Sequence, residues 1–312
     1  MSERTPILKI ENIKNGNLFV KREDLYPDYF GGNKVRIAYE LFEDMQRQGK
    51  DCIVGYGNAR SNLCRVLSIM CSAKGIPCYI ISPADEDGNR VETNNSQMVK
   101  LCGAKFRECT KNNVAETVET VFSECKEAGL NPYYIYGDKF GNGNEATPVR
   151  AYAKVYKEIK EQSELLGVCF DYIFLATGTG MTHAGLIAGQ KIYGGSEQIV
   201  GISVARKKEQ EIAVLKKYLD AYAQEVPFTY EDSDINLVDD YLCGGYGQYH
   251  EGIVNTLRTS VKEYGMPLDP TYTGKAFYGM EQYVKEHNLG DKNILFLHTG
   301  GTPLFFDNLN KL

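Results

Sequence analysis

No stretch of this chain is apolar for long enough to cross a bilayer. The longest runs, such as Tyr172-Ile173-Phe174-Leu175-Ala176, are strand-sized, and the opening Met1-Ser2-Glu3-Arg4-Thr5-Pro6 has no apolar core of a secretion signal. An excess of positive charge is missing as well. The chain has 35 Lys and Arg against 41 Asp and Glu, a net charge of −6, which argues against a general affinity for nucleic acid or acidic lipid. Cysteine is present, nine residues, but in no CxxC pair and no Cys/His spacing that suits zinc, so no metal is expected. Nine is an odd number for a disulfide framework, and reduced thiols in a cytoplasmic protein fit better. Cys64, Cys71 and Cys78 recur every seven residues, yet Cys71 falls in a helical stretch and Cys78 opens the next strand, so they read as small apolar filler. Tryptophan is absent, from which nothing functional follows. No fixed-period repeat or low-complexity stretch occurs.

What is present describes an ordinary soluble globular protein of 43% hydrophobic and 24% charged residues. At 312 residues it holds one large or two ordinary domains and buries about three quarters of its extended surface. Residues 1–30 predict two short extended segments with turns at Asn15-Gly16-Asn17 and Tyr26-Pro27-Asp28. A helix to about residue 48 follows. From Cys52 on, strands at 52–56, 77–82, 104–107 and 133–136 alternate with helices at 62–74, 94–102 and 114–127. Near-continuous apolar strands between amphipathic helices imply parallel pairing with both faces covered. The glycine-rich residues 137–143 mark a domain crossing. Beyond them come helix 147–166, strand 171–176, helix 182–193, strand 199–204 and helix 207–224. The last part holds a loop at 241–249, the string Asp269-Pro270-Thr271-Tyr272-Thr273-Gly274-Lys275, helix 276–286, and strand 294–298 with the turn Thr299-Gly300-Gly301-Thr302-Pro303.

Two stretches carry chemistry. In Phe30-Gly31-Gly32-Asn33-Lys34-Val35-Arg36 a double glycine turns the backbone and a lysine opens a helix. The unpaired N–H groups and positive dipole end of a helix start disfavour protonation of a nearby amine. Lys34 is therefore a candidate for the neutral, nucleophilic lysine that Schiff-base chemistry needs. The second stretch is Ala176-Thr177-Gly178-Thr179-Gly180-Met181-Thr182-His183-Ala184-Gly185, which leaves a buried strand and opens a helix. Its glycines uncover backbone N–H groups, Thr179 and Thr182 add hydroxyls, and the helix dipole favours an anion, so phosphate is the natural occupant. No Gly-Lys-Ser/Thr follows, which excludes a Walker A loop, and the third glycine of a dinucleotide fingerprint is missing. The run Arg206-Lys207-Lys208 reads as a solvated helix face.

A Schiff-base lysine followed by a Gly/Thr phosphate loop is similar to pyridoxal-phosphate enzymes of the tryptophan-synthase-β type. Five strings narrow the resemblance: Lys21-Arg22-Glu23-Asp24-Leu25, Gly31-Gly32-Asn33-Lys34-Val35-Arg36, Ser61-Asn62 with Arg65, Asp269-Pro270-x-Tyr272-x-Gly274-Lys275, and His298-Thr299-Gly300-Gly301-x-Pro303. In this order they resemble the D-cysteine desulfhydrase and 1-aminocyclopropane-1-carboxylate (ACC) deaminase family. The resemblance implies a two-domain α/β fold (fold type II) with parallel-rich open sheets, helices on both faces and pyridoxal 5′-phosphate in the interdomain cleft. Residues 1–50 and 140–312 would form the large, cofactor-binding domain and 51–139 a small inserted α/β domain. A homodimer acting on a small amino acid is implied as well.

Carried over residue by residue, the resemblance makes Lys34 the Schiff-base residue and the group that moves the Cα proton. Asn33 lies beside it. Asn62 would hydrogen-bond the cofactor's phenolic oxygen, and Ser61 with its helix start would receive the substrate carboxylate. Gly178, Thr179, Gly180, Met181 and Thr182 would hold the phosphate. Tyr272 would stand against the substrate. Apart from the resemblance, Gly244-Gly245-Tyr246-Gly247 reads as a mobile loop beside the cleft from which Tyr246 could reach the substrate, and His298, at a strand end before Gly-Gly, reads as a wall of the cleft, a group behind that wall, or ordinary packing. His183 could add a cation near the phosphate or simply pack.

Thr273 would face the pyridine nitrogen, where the ACC deaminases have Glu. A threonine hydroxyl cannot hold the proton that Glu secures, which disfavours cyclopropane opening and favours β-elimination to an α-keto acid and ammonia. Arg60 stands where the family usually has Gln and Leu63 where it usually has His. A permanent cation at Arg60 suits a substrate with a second anionic group, such as cysteate. The alternatives are β-replacement by a second nucleophile, ACC deamination, and a non-catalytic cofactor- or nucleotide-binding protein.

Overall fold

The computed structural model describes residues 3–11, 17–84 and 91–312. The first two residues of the turn expected at Asn15-Gly16-Asn17 lie outside these ranges. The chain divides into two compact units, Met1–Asn33 with Pro148–Leu312, and Lys34–Thr147. The helix after the double glycine thus goes with the inserted unit, where the sequence reading had put residues up to 50 in the first.

In chain order the first unit begins with β1 (Ile7–Lys9) and β2 (Asn17–Arg22). Next come α1 (Asn33–Arg47), β3 (Cys52–Tyr56), α2 (Asn62–Lys74), β4 (Cys78–Pro83), α3 (Asn94–Leu101), β5 (Lys105–Cys109), α4 (Val114–Glu127) and β6 (Pro132–Tyr134). The chain returns through α5 (Ala146–Leu166) to β7 (Tyr172–Thr177), α6 (Met181–Tyr193), β8 (Gln198–Ser203), α7 (Lys208–Glu225) and β9 (Asn236–Val238). It closes with α8 (Glu251–Tyr264), α9 (Thr273–Glu286), β10 (Asn293–His298) and α10 (Thr302–Phe306).

Among the described residues, the first unit's sheet has the order β1-β2-β10-β7-β8-β9, parallel throughout except for β1. The register sets Val20 beside Phe296, Phe296 beside Phe174 and Phe174 beside Val200, so one apolar row crosses four strands. Helices α8 and α9 cover that row with Ile253, Leu257, Ala276, Phe277 and Met280, and the Phe277 and Phe296 rings meet edge to face at 5.0 Å. Neighbouring residues of a strand point to opposite faces. A Cβ on Gly201 would sit 2.4 Å from His183 of α6, while one on Gly279 of α9 would sit 2.8 Å from Ile202. Helices α6 and α9 therefore lie on opposite faces of β8.

Parallel pairing also places the carboxyl ends of β2, β7, β8 and β10 on one edge. The double-glycine segment, the Gly/Thr loop and the closing Gly300-Gly301 turn leave from that edge, where α/β sheets hold their ligands.

The second unit has the parallel order β5-β4-β3-β6 among the described residues. Helix α1 buries Ala38, Leu41, Phe42 and Met45, one face of a 3.6-residue repeat. Ser61 caps α2, its Oγ accepting from Cys64 N at 3.2 Å, and Gly75 ends the helix at φ 66°. Chain order reverses at β3, with β4 on one side and β6 on the other, which puts Gly57 to Ser61 at the switch point of this sheet.

Candidate active site

The glycine pairs come first because nothing else fits. Tyr29, Phe30, Gly31 and Gly32 all have positive φ, 51°, 62°, 65° and 97°, a run in which non-glycine residues are strained. A Cβ on Gly31 would lie 2.2 Å from the Asp24 carbonyl oxygen and one on Gly300 would lie 2.6 Å from Gly32 Cα. The two double glycines are thus packed backbone against backbone. Gly32 N–H donates to Glu23 O at 2.8 Å and Asn33 N–H to Thr299 O at 3.0 Å. Asn33 Nδ2 donates to Thr182 Oγ1 at 2.8 Å, with both residues buried. The residue before Lys34 is therefore tied to the first turn of α6. Lys34 itself is the second residue of α1 and half-buried.

The strand before this turn builds the frame. Lys21 is fully buried and donates to Glu158, to Thr5 O at 2.6 Å and to Gln162 Oε1 at 2.7 Å. Glu23 accepts from Thr5 and from Tyr152 at 2.9 Å. Arg22 forks onto Asp24 at 2.8 and 2.7 Å. The charges of the Lys21-Arg22-Glu23-Asp24 string thus lock β2 to α5 and fix the approach to the double glycine.

Gly180 occupies the N-cap of the 13-residue α6 at φ 78° and offers no side-chain cap. A Cβ there would meet Val214 at 3.3 Å, and one on Gly178 would meet Val204 at 3.2 Å. The loop is thus a glycine cradle with bare N–H groups at a helix start, the form that takes a phosphate dianion. Thr179 is half-buried, while Met181 and Thr182 are buried.

Behind the loop stands Glu211 of α7, fully buried, accepting from Thr177 Oγ1 at 2.9 Å and pairing with Arg206 Nη1 at 2.9 Å. Arg206 also donates to the Gly178 carbonyl. It belongs to the loop's support and corrects its reading as part of a solvated face. His183 is fully buried, and burial pushes its ring down to about 4, so it is neutral and supplies no cation to an anion.

Asp269 organises the start of α9. Its Oδ1 accepts from Thr271 N at 2.9 Å and Tyr272 N at 2.8 Å, and its Oδ2 from Thr273 N at 3.2 Å and Thr273 Oγ1 at 2.8 Å. Burial raises its carboxyl above the ordinary value and outweighs these donors, which oppose it. Thr273, fully buried, also accepts from Asp269 N at 2.9 Å. Its hydroxyl proton is committed to a buried carboxylate that the sequence reading did not assign.

Tyr272 and Tyr246 are brought together. Their hydroxyls share a hydrogen bond and their rings meet at 5.7 Å. His298 turns away instead. It is fully buried, accepts from Gly300 N at Nδ1 (3.2 Å) and bonds Pro267 O through Nε2 (2.9 Å). Its ring fixes the closing glycine turn, and neither nitrogen remains for a substrate.

In the second unit, Ser61 and Asn62 open α2 and are half-buried, as is Arg60. Sequence reasoning missed what holds them. Thr93 donates to the Ala59 carbonyl, while Asn95 Nδ2 donates to Arg60 O at 3.2 Å and Asn62 Oδ1 at 2.9 Å. With its oxygen occupied, Asn62 presents its NH2 group as a donor. Gly57 is required here, since its Cβ would lie 2.6 Å from Ser61 Oγ. The signal was the capping box at Thr93 and Ser96, which marks a built helix start but not what it braces.

Comparison with known proteins settles the class. The family model for pyridoxal-phosphate dependent enzymes matches residues 2–300. The chain belongs to that family. The cradle at Gly178 to Thr182, tied to Asn33 next to Lys34, fits the phosphorylated aldehyde cofactor of pyridoxal-phosphate enzymes. Among its relatives, a D-cysteine desulfhydrase of Serratia proteamaculans is 29% identical over 310 residues, 97% of this chain and 92% of that protein. A putative 1-aminocyclopropane-1-carboxylate deaminase of Pyrococcus furiosus is 31% identical over 303 residues, 95% of this chain and 89% of that one. The crystal structure of an ACC deaminase homologue superposes with a TM-score of 0.86 at 30% identity, covering 99% of this chain and 93% of that one.

Proposed function

We propose that this pyridoxal-phosphate enzyme removes a β-substituent and ammonia from a small amino acid, with D-cysteine as the reference substrate. From cysteine and water the products are pyruvate, hydrogen sulfide and ammonia. The observation that carries the reading is the 2.8 Å hydrogen bond from Asn33 to Thr182, which ties the residue preceding the lysine to the phosphate cradle. When bound, the cofactor supplies the electron sink for a negative charge at Cα. Lys34 would carry it and move the Cα proton. Gly178, Thr179, Gly180, Met181 and Thr182 would hold its phosphate and Asn62 would donate to its phenolic oxygen, while Thr273 would lie at its ring nitrogen with its hydroxyl proton kept by Asp269. Ser61 and the α2 start would take the substrate carboxylate, with Arg60 beside it. Tyr246 and Tyr272 would act as a pair against the side chain.

Elimination is favoured over ACC deamination because Thr273 replaces the acid that opens a cyclopropane. A homodimer in the cytoplasm belongs to the same reading, the dimer supported by the family resemblance and the location by nine cysteines, all of them free thiols. Among the described residues no helix is long and apolar enough to cross a membrane.

The test is a panel of β-substituted amino acids of both configurations, assayed for keto acid and ammonia. Release of both from a β-substituted substrate and not from ACC is expected. Turnover of ACC alone would overturn the assignment.

A further inference from the structure

A cation in the first turn of a helix is opposed by the helix dipole, and a buried one needs full compensation. Lys275 is both, the third residue of α9 and fully buried. Its compensation is main chain. Nζ donates to the carbonyls of Leu242 at 2.8 Å, Gly245 at 2.9 Å and Val204 at 3.3 Å, one acceptor for each ammonium proton. Two of these belong to a loop whose own bonds are few, Gly245 N–H to Leu242 O at 3.0 Å and Gln248 N–H to Gly245 O at 3.2 Å, so the same two carbonyls serve the turn and the ammonium. Cys243, Gly244, Gly245 and Gly247 all have positive φ, 54°, 93°, 122° and 76°, so four of five consecutive residues sit where the backbone has little preference of its own. The third acceptor, Val204, follows β8, donates its N–H to Thr177 O at 2.9 Å and precedes Arg206 by two residues. Directly after Gly245 comes Tyr246, whose hydroxyl is bonded to that of Tyr272, three residues before Lys275. A single ammonium thus joins the strand end beside the phosphate cradle, the glycine loop and the tyrosine pair.

We propose that Lys275 is a positioning residue: by gathering the carbonyls of residues 242 and 245 it folds the glycine loop so that Tyr246 is held on Tyr272 at the substrate side of the site. The substrate-side part rests on the function proposed above; the anchoring of the loop does not. The titratable groups facing the ammonium are Cys243 on the loop and Asp269 on the turn that caps α9, both favouring its charged form, while the β8 end contributes the Val204 carbonyl. Burial outweighs them and brings the ammonium down to about 8, so the clamp loses its charge as pH rises through that value.

Hydrogen exchange of the holoenzyme, read by mass spectrometry over residues 241–248, tests the anchor in wild type, Lys275→Met and Lys275→Gln. Loss of hydrogen bonds from a charged donor predicts loop exchange about ten- to a hundredfold faster in Lys275→Met, with peptides of the phosphate cradle unchanged and the visible cofactor band retained. The fall in kcat/KM should be of similar size, and adding Tyr246→Phe to Lys275→Met should cost nothing further, because both remove the same contact. In wild type, loop exchange corrected for its intrinsic pH dependence should accelerate above about pH 8, a readout that needs no variant to fold. Unchanged loop exchange, both in the variants and across that pH range, overturns the anchor. Faster exchange with kcat and KM untouched overturns its bearing on the substrate. Faster exchange in a protein that turns over no amino acid upholds the anchor and refutes the proposed function instead.

Discussion

Replacing Asn33 with alanine removes the amide that donates to Thr182 Oγ1 at 2.8 Å. Both residues are buried, 7% and 5% exposed, so water does not readily replace the lost partner. A buried neutral hydrogen bond contributes about 1 kcal/mol, and leaving a buried group unsatisfied costs up to about 3 kcal/mol. At 1.4 kcal/mol per tenfold, the dissociation constant for pyridoxal phosphate should rise about five- to a hundredfold. The main-chain path should survive, because Asn33 N–H still donates to Thr299 O at 3.0 Å. Thr182→Val breaks the same bond from the other side, so the double variant should show a coupling of about 1 kcal/mol. The assay is titration of cofactor-stripped protein with pyridoxal phosphate, followed by visible absorption, with thermal unfolding as the check on folding. An Asn33→Ala dissociation constant within a factor of about two of wild type, or strict additivity with Thr182→Val, would refute the reasoning.

Three further outcomes follow from the same geometry. Gly185→Ala puts a Cβ 2.3 Å from Tyr152 Cβ and 2.8 Å from Val149 O, so α5 and α6 must part and stability should fall by about 1–3 kcal/mol; an unchanged denaturant midpoint would contradict the packing. His183 stays neutral in the folded chain down to about 4, whereas the unfolded chain takes up the proton below about 6.5. Stability from this ring is therefore complete above pH 6.5 and lost as pH falls toward 4, roughly 3 kcal/mol in all, and His183→Gln should flatten the acid limb of a stability profile. If Arg60 faces the substrate, cysteate should be preferred to cysteine and Arg60→Gln should abolish the preference; equal kcat/KM for both in wild type would remove that role.

The alternation of apolar strands with amphipathic helices was enough to read the parallel pairing of β3 to β6 and the strands β7, β8 and β10, but not the three-residue β9. The glycines at 31–32, 178–180 and 300–301 marked the three turns that leave the carboxyl edge of the first sheet, because only residues without a side chain permit such backbone approach. Helix α8 was not legible. Ile253, Val254 and Leu257 are interleaved with Thr256, Thr259 and Ser260, residues of modest helix propensity, and the helix forms because its apolar face closes the row formed by Val20, Phe296, Phe174 and Val200. Charges that brace the main chain were also read poorly. Arg206, Asp269 and Lys275 answer to Gly178 and Glu211, to the turn at residues 271–273, and to the carbonyls of Leu242 and Gly245. Several of these partners lie tens of residues away, and a carbonyl has no signature in the residue type. His298 shows the converse case. A histidine before a glycine pair reads equally as a cleft wall or as packing, and burial with two backbone partners makes it a structural brace.

Every role proposed for this site depends on a covalent bond between Lys34 and the cofactor. Borohydride reduction of the holoenzyme followed by peptide mapping tests it directly: the reduced cofactor should be found on Lys34, and Lys34→Ala should lose both the visible band and the labelled peptide. Label on any other lysine, or a visible band that persists in Lys34→Ala, would exclude Lys34 as the Schiff-base residue.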